Sequence, residues 1–422
     1  MKKVELKLLS LKRSSILKLE STAAEIDEIV FELFSIFEKE IDYDNRKIKV
    51  KPFQKRTEVL TDMVYEYVDK YKEQMPQIYK FKKYIDSLDK DEYFCISLNT
   101  KQNTKQIVEI FNILEKYNNN TDTDIINKSA DGLFGFVLDN YDISTYNGKK
   151  PIHIGVSCKK KRVCRFCHKT YPEVRFGKKA HAISEALGNK SIIANEECDS
   201  CNEKFGTGIE NDIVAYLSFY RSFFGIKGKG SGQPKLKGAN FCIQNTVDNT
   251  VDFRIKGDGK GEFPTHIDAL TYERISLQNV YRVLCKYLVS VIDSSVLPSL
   301  TKTIDWINED IVSEQLPKIK VQILNNIFSM QPSISIYIRK SNNKNIPHII
   351  GEFHYACLVY VFVVPFSSQD DKQFLSDDEI AKYWDKLHYS QGEIKNKWTA
   401  YDFSEEDRKK LVFNIVFKEQ NV

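Results

Sequence analysis

Two cysteine pairs bracket a single histidine near the middle of the chain. Cys164 and Cys167 form the first pair, Cys198 and Cys201 form the second, and His181 lies between them. Four thiolates in two pairs of this spacing can close a tetrahedral zinc site, and such a closed site has no open position for a substrate. The sequence therefore predicts a structural Zn²⁺ site, and any reaction has to involve residues between the pairs or directly after them.

The segment held between these pairs resembles the HNH endonucleases, a family with the ββα-metal fold that is also called the His-Me finger. The matching residues begin at Ala180-His181, pass through Asn195 and end in Cys198-Asp199-Ser200-Cys201-Asn202, within a resemblance that covers about Cys164 to Asp212. The resemblance implies that His181 is the general base and that Asn195 steadies a loop. It also implies that Asn202 is a ligand of a catalytic divalent cation, Mg²⁺ or Mn²⁺.

One position departs from the family pattern. An aspartate or glutamate often precedes the histidine in HNH endonucleases and binds the metal, whereas this chain has Ala180. Glu185, Glu210 and Asp212 are the candidates for the missing carboxylate. Glu210 and Asp212 cannot both face one point if they lie on one helix, because residues two apart do not share a helix face. We slightly favour Glu210.

The expected chemistry is hydrolysis of a phosphodiester. The attacking water has to lose a proton, and an imidazole with a pKa near its ordinary value of about 6.5 can accept that proton at neutral pH. A divalent cation held by oxygen ligands stabilises the charge that develops on the phosphate and on the leaving oxygen. These requirements point to a metal-dependent HNH endonuclease that acts on DNA.

Two other functions stay open at this point. The same residues are compatible with an HNH-type RNase. The alanine at position 180 favours a second alternative, a non-catalytic, zinc-stapled module that binds nucleic acid or another protein. Among the settings in which HNH endonucleases occur, we favour prokaryotic defence against phage or restriction, because two sizeable regions flank the small nuclease segment. A homo-oligomer or a regulatory partner is compatible with those regions.

Basic residues crowd around the cysteine pairs and are expected to contact nucleic acid. Lysine and arginine side chains bind the phosphate backbone without reading the base sequence. The candidates for this contact are Arg165, Arg175, Lys178, Lys179, Lys227 and Lys229.

The elements that position these residues are predicted to form an α+β multidomain protein. A largely helical N-terminal region is expected at 1–150, because apolar residues recur at helical spacing over 26–37, 59–71 and 107–114. The central zinc-stapled ββα-metal (HNH) module is expected at 151–232 and an α+β domain, regulatory or oligomerising, at 233–422. A strand is predicted at 132–138, a loop or linker at 118–124 and a flexible basic connector at 225–235.

The C-terminal region contains both kinds of apolar pattern. Helical spacing predicts a buried helix over 280–291 and another helix that begins near Pro298. Alternating or continuous apolar residues predict strands over 334–338, 355–364 and 411–417.

Composition limits the broad class of the protein. The chain has 422 residues, 42% of them hydrophobic, and a formal net charge of +4, which favours a folded protein with more than one core. The N-terminus carries charges within its first residues, and the longest apolar run is shorter than the ~20 residues that span a membrane. We therefore expect a cytoplasmic protein without a membrane segment, whose remaining cysteines are reduced thiols.

Overall fold

The computed structural model describes most of the chain, and the structural statements below refer to these residues. They are 2–42, 47–98, 104–119, 134–148, 150–230, 232–246, 248, 250–255, 266–311, 313–324, 329–390 and 397–416. The chain forms two compact units, Met1–Asp139 and Asn140–Val422. Helices and strands occur in both units, so the predicted α+β class is confirmed. The division into three domains stays a prediction, because compactness does not show which segments fold by themselves.

The first unit combines helices with a sheet. Its strands are β1 (Lys2–Leu9), β2 (Ser14–Ser21), β3 (Glu38–Asp42), β4 (Lys47–Val50), β5 (Phe53–Lys55) and β6 (Tyr93–Ser97). Its helices are α1 (Ala23–Ser35), α2 (Glu58–Tyr71), α3 (Tyr79–Asp86), α4 (Thr104–Asn119) and α5, whose described residues are 134–140 and continue one residue into the second unit.

The predicted helices of this unit are present, but a sheet that the sequence analysis did not predict accompanies them. Four strands pair in the order β2-β1-β6-β5. Leu6 and Leu8 of β1 point into the same core as Ile29 of α1 and Val64 of α2, and all four side chains are buried. The prediction of a largely helical region is therefore incomplete. Apolar residues alternate along β1, and this pattern buries one face of a strand.

The second unit contains the cysteine pairs. Its strands are β7 (Tyr141–Tyr146), β8 (Ile152–Ile154), β9 (Ile192–Ala194), β10 (Lys235–Lys237), β11 (Phe241–Asn245), β12 (Val251–Ile255), β13 (His266–Ile275), β14 (Ile319–Ile323), β15 (Ser329–Arg339), β16 (Ile349–Ala356), β17 (Leu358–Val363), β18 (Thr399–Tyr401) and β19 (Lys409–Val416). Its helices are α6 (Asp199–Thr207), α7 (Glu210–Tyr216), α8 (Ser218–Phe223), α9 (Leu277–Val291), α10 (Thr301–Ile307) and α11 (Asp377–Trp384).

A six-stranded sheet and α9 form the centre of this unit. The strands pair in the order β18-β14-β17-β16-β15-β7, each antiparallel to its neighbours. Every residue of β17 is buried. The single strand predicted over 355–364 is wrong, because a turn at Cys357 separates the end of β16 from β17, and the two strands pair antiparallel. The core of the sheet and α9 is continuous with the core around Cys164 and Phe205. The segment with the cysteine pairs is thus packed into a larger unit.

Two further local predictions are wrong. The described part of the strand predicted at 132–138 is helical and belongs to α5. The connector predicted to be flexible begins with Gly225–Gly228, in which Ile226 is 1% exposed and Gly228 lies against the Ala186 backbone. Glycine permits this close approach and does not imply motion. Most of the predicted 118–124 linker lies outside the described residues.

None of the helices in the described part of the chain combines the length and the apolar composition that crossing a bilayer requires.

A buried histidine beside the large sheet should make the stability of the second unit depend on pH. His348 Nδ1 lies 2.7 Å from Ser367 Oγ, and burial, with Arg339 and Lys344 nearby, lowers the pKa of His348 to about 4. In the unfolded chain His348 becomes protonated near pH 6.5. Its contribution to the free energy of unfolding is therefore fully present above about pH 6.5 and is lost as the pH falls towards 4. The expected loss is up to about 3 kcal/mol.

The measurement is urea unfolding of the parent and of His348→Gln at about pH 7 and about pH 5. The parent should lose more stability between these values than the variant. Asp370 acts in the opposite direction, since burial raises its pKa to about 6. This opposing contribution is common to both proteins and cancels in the comparison. An identical pH dependence of the two proteins contradicts the prediction, and the exposed His266→Gln is the matched control.

Candidate active site

The four paired cysteines converge on one point. Their Sγ atoms all lie within 4.8 Å of one another, and the Sγ atoms of Cys167 and Cys198 are 3.7 Å apart. Zn–S bonds of about 2.3 Å in a tetrahedral site place neighbouring sulfur atoms about 3.8 Å apart. A hydrogen bond with Cys201 lowers the pKa of Cys164 and raises that of Cys201, so the two sulfur atoms share one negative charge that sits on Cys164. The donor set and its spacing fit a structural zinc ion.

The second cysteine pair begins α6 and ties it to the segment that leads to His181. Cys198 immediately precedes the helix, and Asp199 is its first residue. The carboxylate of Asp199 accepts hydrogen bonds from the backbone N–H groups of Gly177, at 3.0 Å, and Lys178, at 2.8 Å. The start of α6 and the chain before His181 are therefore held together.

His181 lies next to β9 and is joined to it by an isolated bridge. His181 faces Ile193 in an antiparallel bridge. The Ala182 N–H donates to the Ile192 carbonyl at 3.0 Å, and the Ala194 N–H donates to the Ala180 carbonyl at 2.9 Å. The helix α6 follows this hairpin. The order of strand, strand and helix confirms the predicted ββα arrangement around the cysteine cluster.

The environment of His181 favours a neutral imidazole. Its side chain is 14% exposed, and its Nε2 atom lies 3.6 Å from Oε2 of Glu185. Burial lowers the pKa of His181, while the charge of Glu185 opposes this shift. Among the described residues, the buried Nδ1 atom has no hydrogen-bond partner. A neutral ring with a partly accessible nitrogen beside a carboxylate can accept a proton from water.

The three candidate carboxylates differ in what they contact. Glu185 lies beside His181 and is partly exposed. Glu210, at the start of α7, forms an ion pair of 2.9 Å with Lys286 of α9. Asp212 is 1% exposed and accepts hydrogen bonds from Asn279, at 2.7 Å, and from Arg408. Only Glu185 of the three is placed next to His181, whereas the other two hold parts of the unit together.

Asn202 lies in α6, one residue after the second cysteine pair. Its backbone N–H donates to the Cys198 carbonyl at 2.9 Å, and its side chain is half-buried. This helical position follows from the cysteine spacing, since Cys201 is held in the first turns of α6. Its role as a metal ligand stays a prediction.

A buried ion cluster lies behind the cysteines. Lys286 is 1% exposed and contacts the carboxylates of both Glu197, at 3.0 Å, and Glu210. Burial lowers the pKa of Lys286, but the two carboxylates outweigh it and raise the pKa, so the lysine stays charged. Its ammonium group also lies over the rings of Phe166 and Phe205. This cluster fixes the cysteine site to α9.

Arg165 is not a contact for nucleic acid, which corrects the sequence-based expectation. Its side chain is 4% exposed and forms an ion pair of 2.9 Å with Glu196. It also donates to the backbone carbonyls of Val289, at 2.9 Å, and Ile292, at 2.6 Å, at the end of α9. The neighbouring carboxylates are used in the same way, since Glu196 pairs with Arg165 and Glu197 with the buried Lys286. Because the guanidinium group of Arg165 is buried and paired, it cannot reach a phosphate.

The loop between the paired strands is held by Asn189, and not by Asn195 as the family resemblance implied. Asn189 is 2% exposed. Its side-chain NH₂ donates to the carbonyls of Ile183 and Ile192, and its side-chain oxygen accepts from the N–H groups of Ser191 and Ile192. The Gly188-Asn189 turn was the sequence signal for this role, since Gly188 has a φ of +94°.

Asn195 lies at the other end of β9. Its side-chain oxygen is 3.4 Å from Nδ1 of His153, and its backbone N–H donates to the Ile154 carbonyl at 2.8 Å. These contacts join β9 to the neighbouring parallel strand β8. The position therefore supports the sheet and not the loop.

The other basic candidates are exposed. Lys178 pairs with Glu203 at 2.9 Å on the surface, a contact that solvent screens strongly. The remaining exposed candidates are Arg175, Lys179, Lys227 and Lys229. Their accessibility is compatible with phosphate contacts, which stay a prediction.

Comparison with known proteins assigns the segment just described to a family. Residues 164–218 match the model of a family described as HNH endonuclease. No curated protein and no solved structure matches the chain significantly. The matched residues include the four cysteines, the hairpin that carries His181, and α6 and α7. The chain therefore contains a domain of the HNH endonuclease family at residues 164–218.

Proposed function

We propose that this protein is a metal-dependent endonuclease that hydrolyses phosphodiester bonds in DNA. The observation that carries the proposal is the pairing of His181 with Glu185, 3.6 Å apart, on the hairpin of an HNH domain. The cysteine cluster holds this hairpin in place against α6. Positioning of this kind lowers the barrier to reaction because the reacting groups need not be brought together in each turnover.

His181 acts as the general base in this proposal. Burial keeps its pKa below the ordinary value, so its ring is neutral at neutral pH and free to accept a proton from water. Its Nδ1 side is buried, which leaves the Nε2 side, next to Glu185, for the attacking water. General bases placed in this way contribute about 10²- to 10⁴-fold to a rate.

A divalent ion, Mg²⁺ or Mn²⁺, would stabilise the charge that develops on the phosphate and on the leaving oxygen. Hard cations of this kind take carboxylate and amide oxygens as ligands. Glu185 and Asn202 supply one of each, so this donor set fits the ion. The geometry favours Glu185 over Glu210, because Glu210 already neutralises the buried Lys286. Glu185 then supplies the acid that is missing at Ala180.

Exposed basic side chains support nucleic acid as the substrate. The side chains that can contact the phosphate backbone are those of Arg175, Lys179, Lys227 and Lys229. Such contacts would not depend on the base sequence. Binding should then weaken steeply as the salt concentration rises. A role in prokaryotic defence is part of the proposal, supported by the large additional unit that accompanies a small nuclease domain.

The first test is the nicking of supercoiled plasmid DNA. His181→Ala should lower the rate by at least about 10²-fold, because the proton acceptor is lost, and EDTA should abolish nicking of the parent. Glu185→Gln should also remove nicking, whereas Glu210→Gln should instead lower stability, since Lys286 loses a partner. His266→Ala, at an exposed strand position, is the matched control.

Nicking that survives His181→Ala overturns the proposed base. Equal cleavage of single-stranded RNA would assign the protein to the RNases. The same pair of proteins tests the biological role, because the parent and not His181→Ala should reduce phage plaque numbers when expressed in a host.

A second test removes one zinc ligand. Cys201→Ser should lose zinc and unfold the HNH domain, because metal binding at such sites contributes directly to the free energy of folding. Zinc content by atomic emission and thermal unfolding by circular dichroism measure the two effects. Cys158→Ser is the matched control, since Cys158 is exposed and lies outside the cluster. A zinc-free Cys201→Ser protein that is folded and active contradicts a structural role for the metal.

A third test compares two buried asparagines of the same domain. Asn189→Ala should lower the free energy of unfolding by about 2–3 kcal/mol, because it removes hydrogen bonds to buried backbone groups on both sides of the loop. Asn195→Ala should cost about 1 kcal/mol or less. Urea unfolding measures both values. A larger effect at Asn195 would show that the loop is steadied from that position.

A further inference from the structure

Two cavities adjoin the last helices of the HNH domain. The first, called the tyrosine cleft, has a volume of about 530 Å³ and is lined by Tyr216, Tyr220, Tyr360 and Tyr401. The second, called the lysine cleft, has a volume of about 330 Å³ and is lined by Lys235, Lys237 and Tyr272. Leu411 lines both cavities, so they lie on either side of one residue of β19.

The two clefts open directly against the HNH domain. Tyr216 and Ala215 lie in α7, within the segment that matches the HNH family, and line the tyrosine cleft and the lysine cleft respectively. The helix α8 follows and contributes Tyr220 to the tyrosine cleft and Ser218 to the lysine cleft. A chain that occupied both clefts would therefore pass along the end of the nuclease domain.

The tyrosine cleft exposes apolar and aromatic surface that a folded protein ordinarily covers. Tyr401 is 48% exposed, Ile323 is 56% exposed and Val412 is 53% exposed, and all three line this one cavity. Grouped exposure of large apolar side chains marks a binding surface. An aromatic ring with a polar tip can stack on the flat face of a base.

The charge around the clefts favours a polyanion over a neutral or basic peptide. Lys235 and Lys237 project from β10 and are exposed, and Lys397 lines the tyrosine cleft and is exposed as well. Glu273 is the single acidic side chain among the described residues that line either cavity. A groove with cations for the backbone and aromatic rings for the bases is the arrangement that binds single strands.

From these observations we propose that the two clefts form one groove that binds single-stranded nucleic acid beside the HNH domain. A base stacks on the exposed ring of Tyr401 in the tyrosine cleft, and Lys235 and Lys237 contact the phosphates that follow. The choice of nucleic acid as the occupant rests on the proposed nuclease function. The groove gives that nuclease a substrate class with an unpaired strand, such as a junction, a flap or a displaced strand.

Fluorescence anisotropy of a labelled single-stranded DNA of about 12 nucleotides tests the groove. The full chain with His181→Ala serves as the parent, so that binding is measured without cleavage. Tyr401→Ala in this background should weaken binding about tenfold, since one stacking contact is lost. Lys237→Gln should weaken it and lower the slope of binding against salt by about one unit. Tyr79→Ala, at a tyrosine of the first unit that is 44% exposed, is the matched control.

Equal affinity of Tyr401→Ala, Lys237→Gln and Tyr79→Ala for the oligonucleotide overturns the groove. The lysine variant keeps the test valid if Tyr401→Ala fails to fold. The affinity for an RNA oligonucleotide of the same sequence shows which nucleic acid the groove prefers. Tighter binding of the RNA would assign the groove to RNA.

The two proposals fail separately. If the wild-type chain nicks plasmid but does not bind the single strand, the nuclease proposal stands and the groove proposal is wrong. If the chain binds the single strand through Tyr401 but cleaves no substrate, the groove proposal stands and the nuclease proposal is wrong.

Discussion

The convergence of four cysteine sulfur atoms is the constraint on which the rest of the site depends. The strands of the HNH domain are short, since β8 and β9 have three residues each, and such strands contribute few hydrogen bonds. A small segment also buries little apolar surface by itself. Bonds between thiolates and a metal ion compensate for this deficit, because metal binding is part of the free energy of folding in such modules. The hairpin of His181 and the start of α6 are held against each other as a result.

Buried charge then joins this module to the rest of its unit. Lys286 and Arg165 are almost completely buried, and each is neutralised by carboxylates that lie next to the second cysteine pair. A buried ion pair is costly to break, because the partner that remains is left charged and without water. The HNH domain is therefore built into a larger body whose central helix is α9.

This arrangement separates two kinds of acidic residue that look alike in the sequence. Glu196, Glu197, Glu210 and Asp212 all hold cations or backbone groups of the fold. Glu185 is the carboxylate that lies beside the imidazole of His181. Glu185 is therefore the candidate acid for the chemistry proposed at the hairpin, and two clefts lined by tyrosines and lysines lie along α7 and α8. Catalysis and strand binding would then use neighbouring parts of one unit.

The sequence by itself determined the features that depend on local spacing. The cysteine pairs, with the histidine between them, and the helices with regular apolar residues were predictable, because each is set by residues close together in the chain. The order of strand, strand and helix was an expectation from the resemblance to HNH endonucleases. The sheet of the first unit was missed, although Val4, Leu6 and Leu8 alternate with charged residues, since that pattern is short. Only the tertiary structure decided which polar side chains are free. Lys286 lies 76 residues from Glu210, and Arg165 lies 124 residues from Val289, so no local pattern could show that they are buried partners. The contacts of Asn189, Glu185 and Glu210 could not be predicted for the same reason, because burial and pairing depend on what the fold brings together and not on the spacing of residues in the chain.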